Sequence, residues 1–306
     1  MDRMFSDAQV FNIDILKWDV ANVITMDCMF WNAALFRHKL CQSAWVNSKA
    51  SKIDMFAGSP GSTTQAMSTA TFVTKESLKR AVDTCLKLSP KGDCPNGLHG
   101  PMGEWDVSSV TSMNDLFEYA SSFNSDVSKW DVSSVTTMSA IFAGATSFNG
   151  DLSKWDVSSV SDMSGVFWGA AAFNCDMSTW DSSRVTNMAM MFRAAKVFNR
   201  DLSQWDLSRV EIMYGMFWDA TSFNSDLLKW DVSRVVDMSA MFRGAVNFNE
   251  DISKWDVSSL TDMKMMFRAA KSFNGDLSQW DVSSVQTMHG IFWDAHLFNG
   301  HLSKWK

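Results

Sequence analysis

"DLSKWDVSSVSDMSGVFWGAAAFN" occupies Asp151–Asn174, and the chain restates it every 25 residues. Trp105, Trp130, Trp155, Trp180, Trp205, Trp230, Trp255, Trp280 and Trp305 keep that spacing without a slip. So do Val110 to Val285, Met113 to Met288, Phe117 to Phe292 and Phe123 to Phe298. A unit reads W-D-V-S-S-V-T-x-M-x-x-[MIVL]-F-x-x-A-x-x-F-N-x-D-[LIVM]-S-x. Self-similarity at such a period marks a stacked repeat array, in which a unit too small to bury its own apolar face acquires a core from its neighbours. Within a unit, Trp155, Asp156 and Val157 alternate apolar, polar, apolar, which is strand periodicity. Met163, Val166, Phe167 and Ala170 fall at i, i+3, i+4 and i+7, one face of a short helix. The spacing therefore predicts an α/β repeat: a short strand, a turn, a short helical segment and a return, with the strands of successive coils forming a parallel sheet.

The composition follows from the repeat. There are 15 Trp, 22 Phe and 22 Met against two Tyr, and hydrophobic residues make up 46%. The net charge of -7 argues against a phosphate-tracking nucleic-acid binder, which needs a basic surface. No apolar run is long enough for a transmembrane helix. The sequence "MDRMF" (Met1–Phe5) matches the middle of a repeat, as in "MNDLF" (Met113–Phe117), and the last residues are equally abrupt. The expectation is a fragment, or a subunit whose ends something else covers.

The units, with their spacing L-x-x-W-x-V-x-x-V-x-x-M-x-x-x-F from Leu152 to Phe167, resemble the BspA-like leucine-rich-repeat family over residues 101–306. The resemblance implies a right-handed leucine-rich-repeat-like solenoid, with a parallel sheet on one face and short helical segments on the other. It also implies a non-enzymatic protein-binding or adhesive module, extracellular or at the cell surface. Two other functions stay open. One is a structural subunit of a large assembly, and the other is a carbohydrate-binding array using an aromatic groove.

Departures from the period suggest three parts. Residues 1–58 hold a worn piece of the array, in which Trp45 follows Trp18 by 27 residues instead of 25. Residues 59–100 read as a linker and a capping helix over about 74–88, with Thr74 as N-cap and Leu78, Val82 or Ala81, Cys85 and Leu86 on its apolar face. Residues 101–306 are the array proper. A bulge from one continuous array is the alternative for 59–100, since Leu98 keeps the phase of Phe123. Cys85 and Cys94 are close enough in sequence to pair as a disulfide. Cys28, Cys41 and Cys175 read as free thiols.

No nucleophile, metal-ligand or nucleotide motif is present, so neither catalysis nor a cofactor is expected. The column Asn124 to Asn299 reads as buried asparagines satisfying backbone groups from coil to coil. The column Asp106 to Asp281 faces outward and needs compensation from Ser hydroxyls, backbone amides, neighbouring lysines or calcium. Hydrogen-bonded turn caps are preferred over calcium, because no calcium-loop pattern occurs. One variable column follows the Phe117–Phe292 column: Glu118, Ala143, Trp168, Arg193, Trp218, Arg243, Arg268 and Trp293, with Trp31 in the N-terminal piece. Trp168, Arg193, Trp218, Arg243, Arg268 and Trp293 are therefore candidate binding residues on a partly exposed flank. The stripe is either a self-contained ladder of guanidinium over indole or a docking surface for a protein partner, because Trp and Arg dominate binding hot spots.

Overall fold

A computed structural model describes residues 1–40, 43–46, 48–62, 70–94, 99–303 and 305. The chain divides into two compact units, Met1–Ser68 and Thr69–Lys306.

In the larger unit the repeats stack as coils, but they are made of linked turns. The coil beginning at Asp151 shows why. The Asp151 Oδ1 accepts the Ser153 N–H at 2.9 Å, and the Asp156 Oδ1 accepts the Ser158 N–H at 3.0 Å. Between them the Trp155 N–H closes a turn onto the Leu152 carbonyl at 3.1 Å, and the Val160 N–H closes another onto Val157 at 2.9 Å. Short polar side chains thus recruit the backbone into local turns, in competition with a sheet ladder. Trp155, Asp156 and Val157 do alternate buried, exposed, buried. They form no strand. From coil to coil of the array, strand-type pairing among the described residues is limited to isolated parallel bridges seven residues further on, running Ser112, Thr137, Asp162, Asn187, Ile212, Asp237, Asp262, Thr287.

The stretch expected to be helical follows a second pattern. The N–H groups of Met163, Gly165, Phe167 and Gly169 donate to the carbonyls of Asn187, Ala189, Met191 and Arg193 in the next coil, at 2.7 to 2.9 Å. The N–H groups between them, on Val166 and Trp168, and then that of Ala170, turn back three residues, to Met163, Gly165 and Phe167. An α-helix would send every N–H four residues back. Two residues per coil adopt left-handed backbone, such as Gly165 and Gly169 (φ 61° and 71°), Met190 and Ala194 (φ 56° for both), and Gly215 and Asp219 (φ 58° and 57°). That conformation is incompatible with a helix interior. The expected right-handed leucine-rich-repeat-like solenoid, an α/β repeat with a continuous parallel sheet and helical segments, is thereby overturned. The apolar i, i+3, i+4, i+7 set is buried all the same, because the linked turns bring Met163, Val166, Phe167 and Ala170 to one side.

Aromatic stacks run through the core. Phe117, Phe142, Phe167, Phe192, Phe217, Phe242, Phe267 and Phe292 lie face to face, 5.4 to 5.8 Å between successive ring centroids. In the column from Trp155 to Trp305 the indole N–H reaches a backbone carbonyl of the coil before: Trp180 to Leu152 at 3.0 Å, Trp205 to Met177 at 3.1 Å, Trp230 to Leu202 at 2.9 Å. A buried indole without such a partner would carry a desolvation cost. On the surface a third ladder ties coils together. The side-chain oxygen of each Asn accepts the backbone N–H of the next, from Asn124–Asn149 (2.9 Å) to Asn274–Asn299 (2.6 Å). These asparagines satisfy backbone groups, but they are exposed or half-buried rather than buried.

Within the larger unit, residues 70–105 pack against the first coil. Helix α2, Lys75–Leu88, starts at Thr74, whose side chain accepts the Ser77 N–H. The helix buries Leu78, Ala81, Val82 and Cys85 in the array core. The Lys79 Nζ donates to the Leu116 carbonyl at 3.2 Å, the Asn124 N–H bonds the Lys91 carbonyl at 3.1 Å, and the Trp105 indole bonds the His99 carbonyl at 3.1 Å. Cys85 and Cys94 form a disulfide with Cα atoms 5.7 Å apart, tying the loop after α2 to the helix. Gly92 in that loop has φ 95°, and a Cβ there would meet the Phe123 ring at 2.7 Å. A short 3₁₀ turn, Met102–Glu104, leads into the first repeat. Leu98, the residue on which the bulge alternative rests, lies outside the described residues, as does Cys41.

The smaller unit uses the same turn pattern. Arg3, Phe5 and Asp7 donate to Asp27, Met29 and Trp31, and Cys28, Phe30 and Asn32 donate to Ile53, Met55 and Ala57. Phe30 stacks between Phe5 and Phe56, at 5.5 and 5.3 Å. The pairing continues to Ser62, bridged to Lys39, beyond the expected limit at residue 58. Trp45 lies in a short helix α1, Ser43–Val46, and its indole N–H reaches the Ile15 carbonyl, at 3.3 Å.

Candidate functional site

The column after the buried Phe stack sits between the two left-handed residues of each coil. That geometry turns its side chains out of the core while the inter-coil hydrogen bonds hold them in register. The Arg193 guanidinium lies 3.8 Å from the Trp218 ring centroid on one side and 5.2 Å from Trp168 on the other. Arg243 covers Trp218 at 4.2 Å, so this indole has a cation on each side. Arg268 lies over Trp293 at 4.0 Å. Arg243 and Arg268 occupy adjacent coils, and both direct Nη1 toward the Met265 Sδ, at 3.9 and 3.7 Å. Trp168, Arg193, Trp218, Arg243 and Arg268 are half-buried, and Trp293 is 57% exposed. All six sequence candidates fall in one column, as alternating cation–π partners except at the Arg243–Arg268 step. The sequence reading passed over Met190 and Met265, the left-handed residues whose sulfurs touch the arginines, and Tyr214, whose ring meets Trp218 edge-on at 6.4 Å. Trp31 belongs to the smaller unit and is 44% exposed there.

Two surface rows of aspartates cap turns by accepting the N–H two residues on. The Ser183 and Ser208 amides bond Asp181 and Asp206 in one row, and the Ser178 and Ser203 amides bond Asp176 and Asp201 in the other. The Ser hydroxyl, and then the amide, hold Asp181, Asp206 and Asp256 below the ordinary carboxylate range. The amide, and then the hydroxyl, do the same for Asp151, Asp176, Asp201, Asp251 and Asp276. A carboxyl whose pKa falls on folding contributes stability above its unfolded value of about 3.9 and loses it as the pH drops through the folded value. The denaturant midpoint is therefore expected to stay flat from about pH 7 to 5 and to fall below about pH 4. A midpoint that rises on acidification would contradict this role. No grouping of three or more metal-ligating side chains occurs among the described residues. Cys28 and Cys175 are unpaired thiols.

No curated protein matches the sequence. The model of one repeat family matches residues 1–69, 93–178, 151–237 and 224–306, so that its successive matches overlap along the coils just described. The chain therefore belongs to the family described as "Mycoplasma protein of unknown function, DUF285".

Proposed function

We propose that the chain is a non-enzymatic protein-binding module and that the Trp168–Arg193–Trp218–Arg243–Arg268–Trp293 column is its docking surface. The observation that carries this reading is the pre-ordered row of half-exposed indoles and guanidinium groups. Side chains already fixed in place lose little freedom on binding, and Trp and Arg are the residues most often found at the energetic centre of interfaces. The resemblance of the repeat residues to BspA-like surface proteins supports an adhesive role at the cell surface.

The test is the triple variant Trp168→Ser, Trp218→Ser, Arg243→Glu. It removes three cation–π contacts, each contributing about 0.5–1 kcal/mol at an exposed site. A modest loss of stability, about 1–3 kcal/mol, is expected. A protein partner is first isolated by cross-linking to the wild-type chain, and the purified pair is then titrated. A dissociation constant raised tenfold or more in the variant supports docking. Unchanged affinity with reduced stability assigns the column to the fold alone.

A further inference from the structure

A second column carries charge that the fold does not use. Arg184, Arg209 and Arg234 stand on three successive coils at a position that is serine in Ser109, Ser134, Ser159, Ser259 and Ser284. Each lies in the corner of a turn, closed by Val185 N–H on Ser182, Val210 on Leu207 and Val235 on Val232. All three side chains are exposed. Among the described residues, none of the three makes an ion pair, donates a side-chain hydrogen bond or covers a ring. Arg209 acts on Asp206 only as a nearby charge. Three residues earlier in each coil stand Asp181, Asp206 and Asp231, also exposed, each with Oδ1 engaged by a backbone amide. One face therefore carries two parallel rows, acidic and basic, both repeating at the coil spacing of about 4.8 Å expected for hydrogen-bonded neighbours.

The ligand that matches both rows in charge and spacing is the same face on another molecule. We propose that a second copy of this chain docks here, parallel to the first, about a two-fold axis running along the stack. That operation exchanges the left and right of the face and keeps its direction. The Asp row of each copy then lies over the Arg row of the other, giving six opposite-charge pairs, three from each copy's arginines. A two-fold axis across the stack would instead place Arg over Arg and Asp over Asp. The parallel interface is isologous and closes at two copies. A uniform polyanion would meet the Asp row as well as the Arg row. An extended peptide repeats its side chains on one face at about 6.6–6.8 Å, and so drifts out of step with the coils.

Exposed ion pairs are individually weak and screened by salt, so the dimer is concentrated-solution and salt-sensitive. Sedimentation of the full chain should show dimer at about 0.01 M salt and monomer near 1 M, where the screening length falls from about 30 to about 3 Å. The variant Arg184→Glu, Arg209→Glu, Arg234→Glu should be monomeric at both, with an unchanged melting temperature. Orientation is read from Ser183→Cys and Ser233→Cys chains of different mass, mixed under mild oxidation. Cross-links should join like variants only. Three results would overturn the proposal: a wild-type chain that is monomeric at low salt, including one that binds a heparin-like polyanion instead; a triple variant that still dimerises; or a mixed cross-link between the two cysteine variants. The column is separate from the Trp–Arg row, so its failure leaves the docking reading untouched.

Discussion

Replacing Trp205 with alanine is expected to destabilise the larger unit by about 3–5 kcal/mol, the range for truncating a buried aromatic. The side chain is 4% exposed and lies between Trp180, 6.4 Å away between centroids, and the Phe192 ring at 6.3 Å. Its indole donates to the Met177 carbonyl at 3.1 Å, and that carbonyl loses its partner in the variant. Each coil takes much of its core and many of its backbone bonds from its neighbours, so the damage should spread. Hydrogen exchange should quicken in the coils of Trp180 and Trp230 as well as in that of Trp205. Loss of protection confined to residues around Trp205 would mean that the coils are stable one by one.

The second large effect concerns the cap. Replacing both Cys85 and Cys94 with alanine opens a bridge of sequence separation 9, and is expected to cost about 2–4 kcal/mol. The bridge holds the loop whose Lys91 carbonyl accepts the Asn124 N–H, and it anchors the helix whose Lys79 bonds the Leu116 carbonyl. The first coil should therefore fray: the Asn124 amide should exchange faster in the variant, while amides near Asn249 keep their protection. A dithiol reductant should lower the melting temperature of the wild-type chain by a similar amount and leave the variant unaffected. A variant as stable as the wild type would show that the Leu78, Ala81 and Val82 contacts alone secure the cap.

The stack was legible in the sequence because its core residues recur in fixed columns. The Trp column and the two Phe columns are read directly, and each is buried through coil after coil. The Arg–Trp contacts followed from the column after Phe167. The conformation of the coil was not legible by periodicity, because an i, i+3, i+4, i+7 apolar set is also what linked four-residue turns bury. The discriminating signal lay in two other columns. Gly165, Gly215 and Gly290 share one, and Gly144, Gly169 and Gly244 share the other, with Asp115 and Asp219 among their alternatives. Glycine and aspartate recurring four residues apart inside an apparent helix indicate left-handed backbone. The aspartates two residues before Ser153 and Ser158 were a second signal, favouring local turns over a strand at Trp155. The asparagine column reads as buried because stacked asparagines can satisfy backbone groups from coil to coil. Its oxygens do reach the next coil's amide, but from exposed or half-buried positions.

The most direct measurement of the central claim, a coil of linked turns with two left-handed residues, is the sign of one substitution. Ala194 has φ 56°, and its N–H donates to the Trp218 carbonyl at 2.7 Å. A left-handed alanine is strained by about 1–2 kcal/mol relative to a right-handed one, and glycine is not. Ala194→Gly is therefore expected to leave the denaturant midpoint unchanged or raise it. In a helical segment the same change would lower stability by about 1 kcal/mol, and a fall of that size would contradict the coil described here.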